Sequence, residues 1–196
     1  FEMYPIGFAS LSEYLERHGL KVRIINLAMK MLKDEKFDVE RLIQKNRPLA
    51  FGIDLHWMAH VQGALAIAEI IKRFHPETPV ILGGLSATYY HEEILHQYPF
   101  IDFVVRGDST ERPLFELLHA IRGKGDFKNI PNLTYRDGGN GIQINPLTYV
   151  PESLDDIAID YRHIMKKVVR YADPTGYQPF IDWYSYPVTA VFTCRG

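Results

Sequence analysis

Apolar and polar positions alternate along this chain with two different periods, and the changes of period mark the predicted elements. Phe8, Leu11, Tyr14 and Leu15 recur at helical spacing, with Gly19 as a stop. "KVRIINLA" reads as a strand. Asp38 can cap a short helix carrying Val39, Leu42 and Ile43, which ends before Pro48. "LAFGIDL" is a second strand, and a long helix follows from about Met58 to Phe74 with Ala64, Ala68 and Ile71 on one face. "PVILGG" is a third strand, "ATYYHEEILHQY" a helix, "DFVVRG" a fourth strand and "STERPLFELLHAIRG" a helix behind it. In that last helix Ser109 and Glu111 sit at the start, where a hydroxyl cap and a carboxylate suit the dipole.

Strands alternating with helices predict an α/β fold with a doubly wound, flavodoxin-like parallel sheet in three layers, α/β/α. The run of elements begins on a helix, so a first strand is expected upstream. Past residue 125 the pattern changes. "NLTYRDGGNGIQIN" is two alternating strands around a Gly-rich turn, a β-hairpin appendage. "PESLDDIAIDY" reads as a connector, "YRHIMKKVVRY" as a short helix, and "YPVTAVFTCRG" as an apolar strand that starts a following domain. The expected organisation is an α/β domain over 1–125, the hairpin over 126–150, and a linker with the first strand of a further domain over 151–196.

Composition narrows the classes. The 196 residues are 46% hydrophobic and 23% charged, with formal net charge −2, which is ordinary globular usage. Basic residues are interleaved with acids, as in "LERHGLK" and "KMLKDEK", so no basic stripe invites nucleic acid. No apolar run approaches the ~20 residues that cross a bilayer, and the opening residues lack a signal-peptide pattern. One cysteine, Cys194, excludes an internal disulfide and fits a reducing cytoplasm.

In open α/β sheets ligands sit outside the carboxyl ends of the strands. Three loops occupy that position. Gly83 and Gly84, followed by Leu85, Ser86 and Ala87, leave a groove with exposed backbone N–H groups and little side-chain wall; a tight turn alone accounts for one glycine, and the pair favours close approach of a ligand's polar tail. Asp54, Leu55, His56 and Trp57 follow the second strand. The His56–His60 spacing puts both imidazoles on one helix face if the helix has begun by residue 56, which with Asp54 suggests a metal set. No Glu stands beside His56 and no third ligand stands at ligand spacing, so Asp54 reads better as a helix cap and the histidines as rim groups. Trp57 either stacks on a ring ligand or packs beneath the helix. Arg106, Gly107 and Asp108 complete the set, with Asp108 and Arg106 able to pair across their loop. The other histidines, 18, 75, 91, 96, 119 and 163, read as solvated.

The succession "YPIGFASLSEYLERHGLKVRIINL", "AFGIDLHW", "ALAIAEIIKRFHPETPVILGGLSATYYHEEIL", "IDFVVRGDSTERPLFELL" and "NLTYRDGGNGIQIN" resembles the N-terminal cobalamin-binding domain of B12-dependent radical SAM proteins. The resemblance covers about residues 4 to 150. It implies cobalamin bound against the loops at Asp54–Trp57, Gly83–Ala87 and Arg106–Asp108, with Gly83 and Gly84 lying along its nucleotide tail and Ser86 hydrogen-bonding it. It also implies that "VTAVFTCRG" precedes a CxxxCxxC motif, so that Cys194 is not a cluster ligand and the parent's radical SAM domain, with its [4Fe-4S] cluster and SAM, lies beyond Gly196. Such a parent uses cobalamin to carry a methyl group or to assist another radical step, and this piece alone is not catalytic. The family's corrinoid motif DxHxxG belongs after the expected first strand. "DLHWMA" has its D-x-H, but after a later strand and with Ala59 in place of Gly, so the axial role is not carried onto His56.

Two other classes compete. A receiver module would be phosphorylated on Asp54, yet the last strand ends in Arg106 rather than a lysine, and the hairpin has no place in a receiver. A degenerate docking module would bind no cofactor. The segment "PVTAVFTC" is expected to fill the place of the first strand in the sheet.

Overall fold

The structure is a computed structural model and describes residues 6–138, 141–153, 155, 159–183, 185, 186 and 188. The chain folds as two compact units, one drawn from 1–39 and 151–195 and the other from 40–150.

The second unit carries the sheet. Strands β1 (Phe51–Asp54), β2 (Val80–Gly83), β3 (Phe103–Val105), β4 (Leu133–Arg136) and β5 (Ile142–Ile144) lie side by side in that order. β1, β2 and β3 are parallel, with Asp54 beside Gly83 and Leu82 beside Val104. The hairpin joins the same sheet, β4 running antiparallel to β3 and β5 to β4. Helices α1 (Ile6–Arg17) and α2 (Leu27–Lys33) belong to the first unit. Helix α3 (Val39–Lys45) precedes β1; α4 (Val61–Phe74) links β1 to β2; α5 (Leu85–Tyr89) and α6 (His91–Gln97) link β2 to β3; α7 (Glu111–Gly123) follows β3.

Period two explains the layers. Ile81, Phe103, Val105, Leu133 and Tyr135 point to one face and form a core with Leu117 of α7. Val80, Leu82 and Val104 point the other way and are fully buried, where α4, α5 and α6 supply the remaining helical layer. The predicted helix 87–98 is two helices, broken at Tyr90 (φ −110°, ψ 25°). Arg136 of β4 donates to the carbonyls of Leu95, Tyr98 and Ile101, satisfying groups that the end of α6 leaves open. Asp102 accepts from the Val80 amide at 2.7 Å and pairs with Lys72 at 2.8 Å, fixing the start of β2 against α4. His75 is buried rather than solvated, its Nε2 2.9 Å from the Ile43 carbonyl.

The first unit adds α8 (Tyr161–Tyr171) to α1 and α2. The strand expected over 21–28 does not form. Asn26 caps α2 by accepting from the Met29 amide at 3.0 Å, and residues 20–26 find no ladder partner among the described residues. An apolar run becomes a strand only where a neighbour takes its N–H and C=O groups. Instead the segment packs against α8 and the turn at Thr175–Tyr177. Lys167 donates to the Val22 carbonyl at 2.7 Å and pairs with Glu16 of α1. Gly176 lies so close to Ile24 that a Cβ would meet its carbonyl oxygen at 2.7 Å. Lys30 pairs with Asp173 at 2.7 Å. The expected strand in 187–194 lies outside the described residues apart from Val188, as does Cys194.

Candidate functional site

The parallel register brings the ends of β1, β2 and β3 to one edge of the second unit, and the first two loops there are clipped together. The Leu55 amide donates to the Gly83 carbonyl at 2.7 Å, the Ala87 amide to the Leu55 carbonyl at 3.1 Å, and the Ser86 amide to the His56 carbonyl at 3.2 Å. The Ser86 hydroxyl donates to that same His56 carbonyl at 2.9 Å. The amides of Ser86 and Ala87 are therefore bonded within the chain itself.

Gly84 makes this clasp possible. Its backbone has φ +101° and ψ 173°, open essentially to glycine alone. A Cβ there would stand 2.8 Å from Asp54 Oδ1, from the His56 amide nitrogen and from the Leu55 carbonyl carbon. At Gly83 the nearest atom would be the Val105 carbonyl oxygen at 3.8 Å, an ordinary contact. The two glycines thus differ: what comes close to Gly84 is the chain's own β1 loop, and Gly83 has room.

That clasp holds His56 and Trp57 at the rim. The His56 ring meets the Trp57 ring edge-on at 4.8 Å, and Trp57 remains half exposed, with Leu85 partly exposed beside the clasp. His56 lies in the loop, a 3-10 turn covers Met58–His60, and α4 starts only at Val61. The two histidines therefore do not share a helix face, and Asp54 does not cap α4, because loop and turn intervene. The surrounding chain strips water from the Asp54 carboxyl and raises its pKa, although part of the residue reaches solvent; His56 and then His60 oppose the rise. Among the described residues no three His, Cys, Asp or Glu side chains gather as metal ligands.

The third loop is tied in from both sides. The Gly107 amide donates to the Thr88 hydroxyl of α5 at 3.0 Å, and Gly107 itself has φ +97°. The Arg106 amide donates to the Asn132 carbonyl at 2.8 Å. The Arg106 guanidinium, 7% exposed, reaches across β4 and donates through Nη2 to the Asn145 carbonyl. It does not pair with Asp108: among the described residues no carboxylate lies within 4.0 Å of it. Burial lowers its pKa, with Glu92 pulling the other way. His91, whose Nδ1 lies 3.1 Å from the Thr134 hydroxyl, is lowered by burial and then by Arg106. Ser109 does not cap α7; Thr110 takes that position without a side-chain bond, and the Ser109 hydroxyl is buried with no hydrogen-bond partner among the described residues. Asn132 accepts from the amides of Thr148 and Tyr149 at 2.9 and 3.0 Å, holding the chain after β5 over this loop. Neither Asn132, Asn145, Thr88 nor His91 stood out in the sequence; only the Pro-Asn and Asn-Pro pairs flanking the hairpin mark two of them as turn positions.

The family described as "B12 binding domain" matches residues 1–113. The chain belongs to that family. This B12-binding domain is 31% identical over 157 residues, 79% of its length, to an uncharacterised methyltransferase, PH0819, of Pyrococcus horikoshii, of which it covers 32%. It is 26% identical over 135 residues to the hopanoid C-3 methylase of Methylococcus capsulatus, 68% of this chain and 25% of that one. The B12-binding domain therefore spans between a quarter and a third of these curated relatives. Its fold matches the radical S-adenosylmethionine methyltransferase TsrM of Kitasatospora setae, solved with cobalamin and a [4Fe-4S] cluster bound, at TM-score 0.63 and 21% identity, over 76% of this chain and 28% of that one. The domain binds cobalamin, and its sheet with helices on both faces is the α/β/α fold that its sequence pattern predicts. Among the described residues no helix is long and apolar enough to cross a membrane.

Proposed function

We propose that this domain holds its corrinoid at the edge where β1, β2 and β3 end, and presents it to a radical SAM domain of the same polypeptide. The observation that carries the reading is the convergence there of the loops Asp54–Trp57, Gly83–Ala87 and Arg106–Asp108 in a chain of the B12-binding family. The residues at this edge fit such a group. Trp57 and Leu85 offer exposed apolar surface to a large ring system, while Arg106 Nε and the Ser109 hydroxyl are buried polar atoms without partners among the described residues.

When bound, the corrinoid supplies a cobalt centre that carries a methyl group. The chain's own work is positioning. Gly84 and Ser86 fix the loop that presents His56 and Trp57. Thr88 and Asn132 fix the loop at Gly107. In this reading the longer protein provides the [4Fe-4S] cluster and SAM, works in the cytoplasm, as the single cysteine of these 196 residues suits, and needs neither nucleic acid nor membrane as a partner.

Titrating the 196-residue chain with hydroxocobalamin, followed by the corrinoid's visible spectrum, tests the site. Saturable binding by the wild type, weakened about tenfold or more by Trp57→Ala, is expected from loss of an aromatic contact surface. Equal affinity in wild type and Trp57→Ala would remove the β1 loop from the site, and no binding at all would overturn the reading. A coding sequence that continues past Gly196 into CxxxCxxC supports the radical SAM parent; its absence refutes that part.

A further inference from the structure

Helix α8 carries more apolar surface than the first unit covers. At 3.6 residues per turn, Ile164, Val168, Tyr161, Met165 and Val169 follow one another around the helix as a single apolar arc of roughly 140°. The inner part of the arc is used. Ile164 is 6% exposed and forms a core with Ala9 of α1 and Tyr177, and Val168 packs partly buried against them. The outer part is open: Tyr161, Met165 and Val169, on successive turns, are 37%, 61% and 77% exposed. Single exposed apolar side chains are ordinary. These three instead continue a buried stripe along one helix.

A row of cations borders the open part. Arg162, Lys166 and Arg170, again one turn apart, are all exposed. Arg162 pairs with Asp160 at 3.0 Å and Arg170 with Glu16 at 3.5 Å, while Lys166 makes no ion pair within 4.0 Å among the described residues. An apolar strip with cations along one side fits a partner element that is apolar with carboxylates along the matching side. The α8 of a second copy would offer the same cations again. A helix lying on a membrane gives its whole apolar face to the lipid, and α8 has already committed the inner part of its face to α1. The chain covers 32% and 25% of the two curated relatives, so two thirds or more of each lies outside the match. A longer polypeptide of that size has ample chain to supply the cover.

We infer that the outer face of α8, with Tyr161, Met165 and Val169 beside the row Arg162, Lys166 and Arg170, is the surface on which the rest of the longer polypeptide docks, through an apolar element bordered by carboxylates. The inference rests on the proposed reading that this domain belongs to such a polypeptide, and adds the surface by which it is held.

Methionine oxidation reads this face without any substitution. Hydroxyl radicals, followed by mass spectrometry of the digested protein, report Met165 beside two standards in the same unit: Met31, 45% exposed, and Met29, 1% exposed. In the 196-residue chain Met165 is expected to oxidise at least as fast as Met31. In the longer gene product that carries CxxxCxxC it is expected to fall to the level of Met29. Val169→Asp, at an exposed position where the melting curve should not move, is expected to return Met165 to its rate in the 196-residue chain. Lys166→Glu should do so in part, and Lys166→Arg should leave the protection intact. Equal oxidation of Met165 in both proteins overturns the inference and leaves the radical SAM parent standing. Protection that survives both Val169→Asp and Lys166→Glu overturns it as well. In the shorter chain, protection that grows with protein concentration would assign the face to a second copy, and protection by vesicles containing phosphatidylglycerol would assign it to an anionic membrane; either result overturns it. A coding sequence with no such continuation removes the proposed cover together with the reading on which it rests.

Discussion

Gly83 and Gly84 are neighbours in sequence, yet Ala substitution should treat them very differently. At Gly84 the methyl group would meet three atoms at the end of β1 and in the loop after it at 2.8 Å, two of them backbone, so swinging the Asp54 side chain aside would not relieve the clash. The backbone there is also in a region that a Cβ disfavours, which costs about 1–3 kcal/mol. Forcing the loops apart adds about 1–3 kcal/mol of overpacking. Gly84→Ala should therefore lose roughly 2–6 kcal/mol, a large part of the ~5–15 kcal/mol that holds a typical domain together. At Gly83 the new methyl would make one ordinary contact, 3.8 Å from the Val105 carbonyl oxygen, and it sits in a strand where Ala has less chain entropy to lose than Gly; a change within about 1 kcal/mol is expected. Urea unfolding of the two variants, followed by far-UV circular dichroism with the slope checked for constancy, measures the difference directly. If Gly84→Ala is no less stable than Gly83→Ala, the clasp between the β1 and β2 loops is not what the glycine serves, and the account of this edge fails.

Three further predictions concern the first unit. Lys167 is 2% exposed and its partner Glu16 about 20% exposed in their side chains; Glu16→Gln strands the buried ammonium and should cost about 2–4 kcal/mol in urea unfolding, whereas Lys167→Met, which removes the buried charge, should change stability by about 1 kcal/mol or less. Burial, and then Arg170, push the Lys167 ammonium down to about 8, below its ~10.4 in an unfolded chain; between those values the unfolded chain binds more protons, so wild-type stability should rise as pH is raised from about 8 to 10, and Lys167→Met should lack that rise. Gly176→Ala places a methyl 2.7 Å from the Ile24 carbonyl oxygen and should lower stability by about 1–3 kcal/mol, read as a lower melting temperature; an unchanged melt would refute the packing of residues 20–26 against this turn.

The elements of the second unit were legible because their signals are local. β2 and β3 are continuous apolar runs bounded by Pro79 and by glycines, and α4 and α7 carry apolar residues at helical spacing. Two of the failures share one physical origin, a partner distant in sequence that decides the outcome, and a third is a local shift of a helix start. "KVRIINLA" has strand chemistry but pairs with no strand among the described residues, and Asn26 opens a helix there. Ser109 has the chemistry of a cap, yet the helix starts one residue later, at Glu111 after Thr110. His75 looks like a solvated loop residue until the Ile43 carbonyl, 32 positions earlier, is brought to its ring.

The candidate site follows the same division. That Gly84 tolerates no side chain could be suspected from its place at a strand end, because strand interiors rarely give up side chains without cause. Which neighbour forbids the Cβ could not, since a ligand and a packed loop leave the same mark on a sequence. Arg106 is the converse case. Its position after β3 drew attention to Asp108 as the near partner, but the guanidinium travels past it to a carbonyl 39 residues away. At Gly84 the packed β1 loop is enough to exclude a side chain, and the guanidinium that the sequence could pair with Asp108 bonds to the Asn145 carbonyl instead.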